Sequence, residues 1–166
     1  MHEADQIVEL IPRLRRYARA LIGDRAAADD LVQDTLERAW TKLHLYQAGT
    51  SLRAWLFTVM HNVHVNRVRG RRPDEQLDEE MQELVISAPA PDYLVLRDLD
   101  RALARLPDEQ REVLLLVVLE DMSYEQTAEA LGVPIGTVMS RLSRAREKVR
   151  NLMAGHPVAP KLTRVK

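Results

Sequence analysis

His61 and His64 stand three residues apart in a stretch of helical period, a spacing that could bring two imidazoles to one metal ion. No third ligand has matching spacing and no carboxylate falls between them, so no metal site is expected. With Cys 0, the chain also lacks thiolate nucleophiles, disulfides and cysteine-held clusters, and no cofactor is expected. Asp29, Asp30, Asp34 and Glu37 gather with Gln33 and Arg38 on one side of a predicted helix. A general acid needs a cleft that perturbs its pKa, and an open helix face offers none. This face reads as a polar docking surface or, alternatively, as a solubilising one. Two basic clusters point to nucleic acid. Arg67, Arg69, Arg71 and Arg72 follow Asn62 and Asn66 downstream of Trp55 and Phe57, a mixture suited to melted strands, where phosphates need cations and unstacked bases need flat partners. Trp55 itself also fits a purely buried role. Farther on, Gly136, Thr137, Met139 and Ser140 open a helix whose later turns carry Arg141, Ser143, Arg144, Arg146 and Lys148. A helix after a tight corner with such a face can enter the major groove, although corners of this kind also occur with no partner at all.

The elements that must carry these groups are helical. Apolar residues recur at Ile7, Leu10, Ile11, Leu14, Tyr17, Ala18, Leu21 and Ile22, then at Ala28, Leu31, Val32, Leu36, Ala39, Trp40 and Leu43, then at Leu52, Trp55, Leu56, Val59 and Val63. Gly23 ends the first helix, Asp24 caps the second and Ser51 the third. From Pro73 the apolar face disappears and acids accumulate (Asp74, Glu75, Asp78, Glu79, Glu80, Glu83) before Ala88-Pro-Ala-Pro91, which predicts a flexible acidic linker over 73–92. Periodicity resumes through Leu94, Leu99, Leu103, Val113, Val117 and Val118. Ser123-Tyr-Glu-Gln126 forms a capping box, Gly132 a stop and Pro134 a new start. The expected fold is all-α: two small helical bundles, residues 1–72 and 93–155, with a frayed tail over 156–166. Lys+Arg 24 against Asp+Glu 25 leaves net charge −1, so nucleic-acid binding must come from local patches, and the free chain should bind DNA weakly. The linker acids should screen those patches further. No run approaches the roughly 20 apolar residues of a membrane span, so a cytoplasmic protein is expected.

Four segments in order carry a family resemblance: Asp30-Leu-Val-Gln-Asp-Thr-Leu-Glu-Arg-Ala-Trp40, Arg53-Ala-Trp-Leu-Phe-Thr-Val-Met-His-Asn62, Leu106-Pro-Asp-Glu-Gln-Arg-Glu-Val113 and Gly132-Val-Pro-Ile-Gly-Thr-Val-Met-Ser-Arg-Leu-Ser-Arg-Ala-Arg146. Over residues 6 to 152 the chain resembles the bacterial RNA polymerase sigma factors of the extracytoplasmic-function type. That resemblance implies a non-enzymatic specificity subunit. Asp30, Gln33, Asp34, Glu37 and Arg38 would dock on the clamp coiled coil of the polymerase's largest subunit, and the flap region of core polymerase would be a further partner of the chain. Gln47, Thr50 and the segment Asn62 to Arg72, including Asn66, Arg67, Arg69, Arg71 and Arg72, would read and hold open the −10 element. Gly136, Thr137, Ser140, Ser143 and Arg144 would read the −35 element, flanked by Met139, Arg141 and Lys148, and an anti-sigma factor would restrain the whole. Asn66 stands where the family usually has Asp, Asp34 where Glu is common, Met139 where a basic residue is frequent and Leu52 where an aromatic is frequent. Two alternatives stay open: a sigma-like decoy for an anti-sigma factor, which should have lost Asn62, Arg69, Ser140 and Arg144, and a stand-alone helix-turn-helix regulator, which should dimerise on a palindrome.

Overall fold

In the computed structural model, which describes residues 2–70 and 91–154, every regular element is helical. Helix α1 (Glu3–Ile22) stops where Gly23 turns left-handed at φ 80° and donates its N–H to the Arg19 carbonyl. Asp24 restarts the chain at once: its carboxylate accepts the Ala27 N–H at 3.0 Å and caps α2 (Arg25–Lys42). A 3₁₀ turn at Leu43–Leu45 and a short loop lead to α3 (Leu52–Gly70), where Ser51 Oγ accepts the Ala54 N–H at 3.2 Å. Leu14, Leu31, Leu56, Phe57 and Met60 meet at the centre of this bundle, and Tyr17 sets its ring edge against Phe57 at 5.0 Å.

The C-terminal half comprises α4 (Pro91–Ala104), α5 (Asp108–Leu114), α6 (Tyr124–Leu131) and α7 (Ile135–Met153). Ser123 and Gln126 close a reciprocal capping box on α6, and Gly132 at φ 66° ends it. Ser123→Ala should therefore lower stability by about 1 kcal/mol, a fall of roughly 3–5 °C in the thermal midpoint, while Ser123→Asp should largely retain it. Far-UV circular dichroism melting checks both.

Three apolar residues depart from the expected pattern. Trp40 is 47% exposed, because it lies about 120° round α2 from the stripe that buries Ala28, Leu31, Val32 and Ala39. Leu94 is 60% exposed in the first turns of α4, whose buried residues Ala102 and Leu103 come near its end. Val118 is 60% exposed because α5 does not continue as an α-helix: it widens into a π-helical turn at Leu115–Leu119, closed by the Glu120 N–H on the Leu115 carbonyl at 3.0 Å. The widened turn shifts the facing and brings Glu120 to full burial.

The two halves pack on each other. Helix α1 lies against α4, α5 and the π-helical turn, α3 lies against α6, and one apolar cluster runs through both bundles. Helix α4 begins at Pro91, inside the stretch expected as linker. The cations Arg71 and Arg72, the linker acids and the tail over 156–166 lie outside the described residues.

Candidate docking and nucleic-acid interface

On α2, burial of the Leu31 and Ala39 stripe forces the opposite side outward, and Asp30, Gln33, Asp34, Glu37 and Arg38 are all exposed. Beside them runs a groove of about 420 Å³ lined by Val32, Leu36 and Trp40 with Arg15, Asp29, Gln33 and Glu37 at its edges. Sequence reasoning missed Trp40 and Arg15 as parts of this surface. The available signal was the i+3, i+7 spacing of Trp40 from Glu37 and Gln33, which puts the indole on the polar side.

The loop after α2 is closed by its own side chains. Thr50 Oγ donates to the Gln47 carbonyl at 2.7 Å, and the Tyr46 hydroxyl donates to the Thr50 carbonyl at 2.6 Å. Tyr46 in turn packs on half-buried Trp55 at 5.6 Å, so the loop rests on an aromatic pair attached to α3. Gln47 and Thr50 are both exposed on it. Along α3, Asn62, Asn66 and Arg69 are exposed. Arg67 is engaged instead: it donates to the Asp34 carboxylate and to the Asp30 carbonyl, the latter at 3.2 Å, and so ties α3 to α2. Two residues expected on different surfaces thus hold each other.

On α7, Val138, Leu142 and Ala145 are buried, which turns Gly136, Met139, Ser140, Ser143 and Arg144 outward, with Thr137 half-buried. Arg141 and Lys148 lie half-buried on the flank, and Arg141 pairs with Glu109 at 3.5 Å. Exposed Arg146 and Arg150 line a groove with Tyr124, Met139 and Ser143. Arg150 and Tyr124 were not anticipated as part of this face.

His61 and His64, for which no metal site is expected, each have a carboxylate partner. His61 Nδ1 meets Glu112 Oε1 at 2.8 Å, and His64 Nε2 meets Asp108 Oδ2 at 3.0 Å, both across the seam between the halves. Burial pushes the Asp108 carboxyl upward, but the hydrogen bond to His64 and the charges of His64, Arg111 and His61 outweigh it and hold the group below its ordinary value. Its stabilising share is therefore present above the ordinary carboxylate range and is lost as pH falls through the lowered value. Tyr17 is pushed well up by burial and then by Glu112, Asp108 and Glu120, so it stays a neutral phenol. Among the described residues no group of three or more His, Asp or Glu side chains could hold a metal, and no helix is long and apolar enough to cross a membrane.

Comparison with known proteins agrees with this geometry. Residues 7–61 match the family described as the sigma2 domain of PhyR, and residues 96–149 match sigma-70 region 4. The chain is 39% identical over 151 residues to the ECF RNA polymerase sigma factor EcfG of Rhodopseudomonas palustris, covering 90% of this chain and 83% of that one. It is 38% identical to SigL of Mycobacterium tuberculosis, covering 82% and 80%. Among solved structures, the sigma factor RpoE of Bartonella quintana, crystallised with the anti-sigma factor NepR, superposes with a TM-score of 0.77 at 37% identity over 91% of this chain and 96% of that one. Matched at both bundles and along nearly its whole described length, the chain belongs to the ECF RNA polymerase sigma factors.

Proposed function

We infer that this sigma factor docks on core RNA polymerase through the outer face of α2, opens and reads the −10 element with the Gln47–Thr50 loop and the exposed side of α3, and reads the −35 duplex with α7. The observation that supports this best is the separation of labour among exposed polar groups. One set, Asp30, Gln33, Glu37 and Arg38, is built on a helix with a groove beside it that Val32, Leu36 and Trp40 line together with polar side chains. Another, Asn62, Asn66 and Arg69, continues from an aromatic-braced loop. The third, Gly136, Ser140, Ser143 and Arg144, lies on the second helix of a capped helix-turn-helix corner. Bond formation belongs to the polymerase. The relative solved with the anti-sigma factor NepR supports restraint of this chain by a similar partner. Run-off transcription with purified core polymerase on a genomic fragment library tests the reading. Discrete promoters sharing −35 and −10 motifs are expected, and transcripts no different from core polymerase alone would reject it.

Arg144→Ala should weaken binding of the holoenzyme to its own −35 element by about 1–3 kcal/mol, roughly 5- to 150-fold, and relax selectivity at one base position. Electrophoretic competition against single-base variants reads this directly. Equal loss on every variant would make Arg144 a phosphate anchor.

A further inference from the structure

We propose that Met139, with Ile135 beside it, reads a C5-methyl group of the −35 duplex, the methyl of thymine in ordinary DNA, and so sets the base preference of the leading end of α7. The inference deepens the promoter reading above and rests on it.

The leading turns of α7 hold few other readers. Ile135 to Ser140 (Ile-Gly-Thr-Val-Met-Ser) carry no charged side chain and no side-chain amide. In the major groove guanine is read by Arg or Lys and adenine by Asn or Gln, and none of these stands here. Hydroxyls such as Thr137 and Ser140 discriminate weakly, whereas an apolar side chain picks out the methyl that thymine alone presents. Val138 is fully buried in the corner, but Met139 is 49% exposed and Ile135 is exposed too. The two stand at i and i+4, on one side of the helix. A helical side chain leans toward the turn before its own, so Met139 leans toward Ile135 and Gly136. Gly136 has no side chain, and a Cβ there would meet nothing within 4 Å, which leaves the approach to the thioether open. The result is an uncharged apolar ledge with clear access.

Its surroundings suit a base edge. Exposed Gly136, Ser140, Ser143 and Arg144 adjoin the ledge, and these are the groups given above to the −35 duplex. Cations begin only farther along the helix. Arg141 is committed to Glu109 at 3.5 Å, Arg144 is exposed, and exposed Arg146 and Arg150 line one groove with Met139, Ser143 and Tyr124. A duplex whose phosphates meet those cations turns its base edges toward the uncharged leading turns. There the thioether exchanges water for a methyl group, and an unbranched, polarisable side chain adapts to where that methyl lies.

Uracil pairs as thymine does and lacks only this methyl, so it isolates the contact. In the −35 element returned by run-off transcription, each thymine of either strand is replaced in turn by uracil, and holoenzyme affinity is read by electrophoretic competition. One replacement should weaken wild-type binding by about fourfold, the effect of one methyl-sized group left unburied. Met139→Ala holoenzyme should bind the thymine duplex more weakly and be indifferent to that replacement. Met139→Leu should keep most of the sensitivity. With cytosine at the same position, 5-methylcytosine should bind wild type more tightly than cytosine does and leave Met139→Ala unchanged. Met139→Lys should lose the methyl effect and steepen the salt dependence by about 0.9, one added phosphate contact. Indifference of wild type to uracil at every thymine, an element with no thymine, or a uracil penalty that survives Met139→Ala would overturn the proposal. So would a loss in Met139→Ala that is equal on thymine and uracil duplexes, which would give the side chain to a protein contact. Failure of the promoter reading looks different: the holoenzyme would then tolerate replacement of whole base pairs throughout the −35 element, and the methyl contact would fall with it.

Discussion

Arg111→Ala should cost about 2–4 kcal/mol and lower the thermal midpoint by about 10 °C, because this one guanidinium closes the ends of two helices from different bundles. Its Nε donates to the Leu103 carbonyl at 2.7 Å and its Nη2 to Ala104 at 3.0 Å and Leu106 at 2.8 Å, while Nη1 crosses the seam to the Leu21 carbonyl at 2.8 Å. The last carbonyls of a helix have no intrahelical donor and carry the negative end of its dipole, so a fixed cation with fork-shaped donors suits them well. Arg111→Lys should recover only a minority of the loss, since one ammonium cannot satisfy acceptors spread across both helix ends. Arg105→Ala, an exposed neighbour, should change stability by no more than about 0.5 kcal/mol. Differential scanning calorimetry gives the ranking, and hydrogen exchange should show the last turns of α1 and α4 loosening together. A loss under about 1 kcal/mol would mean that water replaces the guanidinium at these carbonyls.

How much of this was legible beforehand follows from the range of each interaction. Gly23, Asp24, Ser51, Ser123 and Gly132 declare helix ends because each acts on backbone groups within a few residues, and all five do as their types predict. The outward faces of α2 and α7 were equally legible, since a 3.6 period that buries one side exposes the other. The histidine pair shows the limit. Its spacing and the lack of a third ligand argue against a metal without saying what the imidazoles do instead, and what decides it is Glu112 and Asp108, 51 and 44 positions away in the chain. The Asp34–Arg67 pair is hidden for the same reason, at a separation of 33. The π-helical turn is a third case. The run Val113 to Leu119 is apolar at every position, so periodicity does not reveal where a turn widens, and the buried position of Glu120 is set by packing against α1.

Trp40→Ala should weaken binding to core polymerase by about 2–4 kcal/mol, roughly 30- to 1,000-fold, while leaving the bundle folded. The indole is 47% exposed and stands over a groove floored by Val32 and Leu36 and edged by Gln33, Glu37 and Arg15, the arrangement of an apolar centre within a polar rim. On binding, an exposed aromatic of this size gains burial with few rotatable bonds to freeze, whereas the rim charges exchange water for imperfect partners. Arg38→Ala should therefore cost less than tenfold, and Asp34→Ala should act partly through release of Arg67 from α2. Trp40→Phe should return a substantial share of the affinity, because it restores apolar area without the indole N–H. Fluorescence anisotropy of labelled sigma factor titrated with core polymerase measures all four, with thermal midpoints confirming that the variants stay folded. Normal docking by Trp40→Ala alongside failure of Gln33→Ala with Glu37→Ala would shift the binding energy from the groove to its rim. Docking would then rest on charge and hydrogen bonding, and its affinity should fall steeply with added salt.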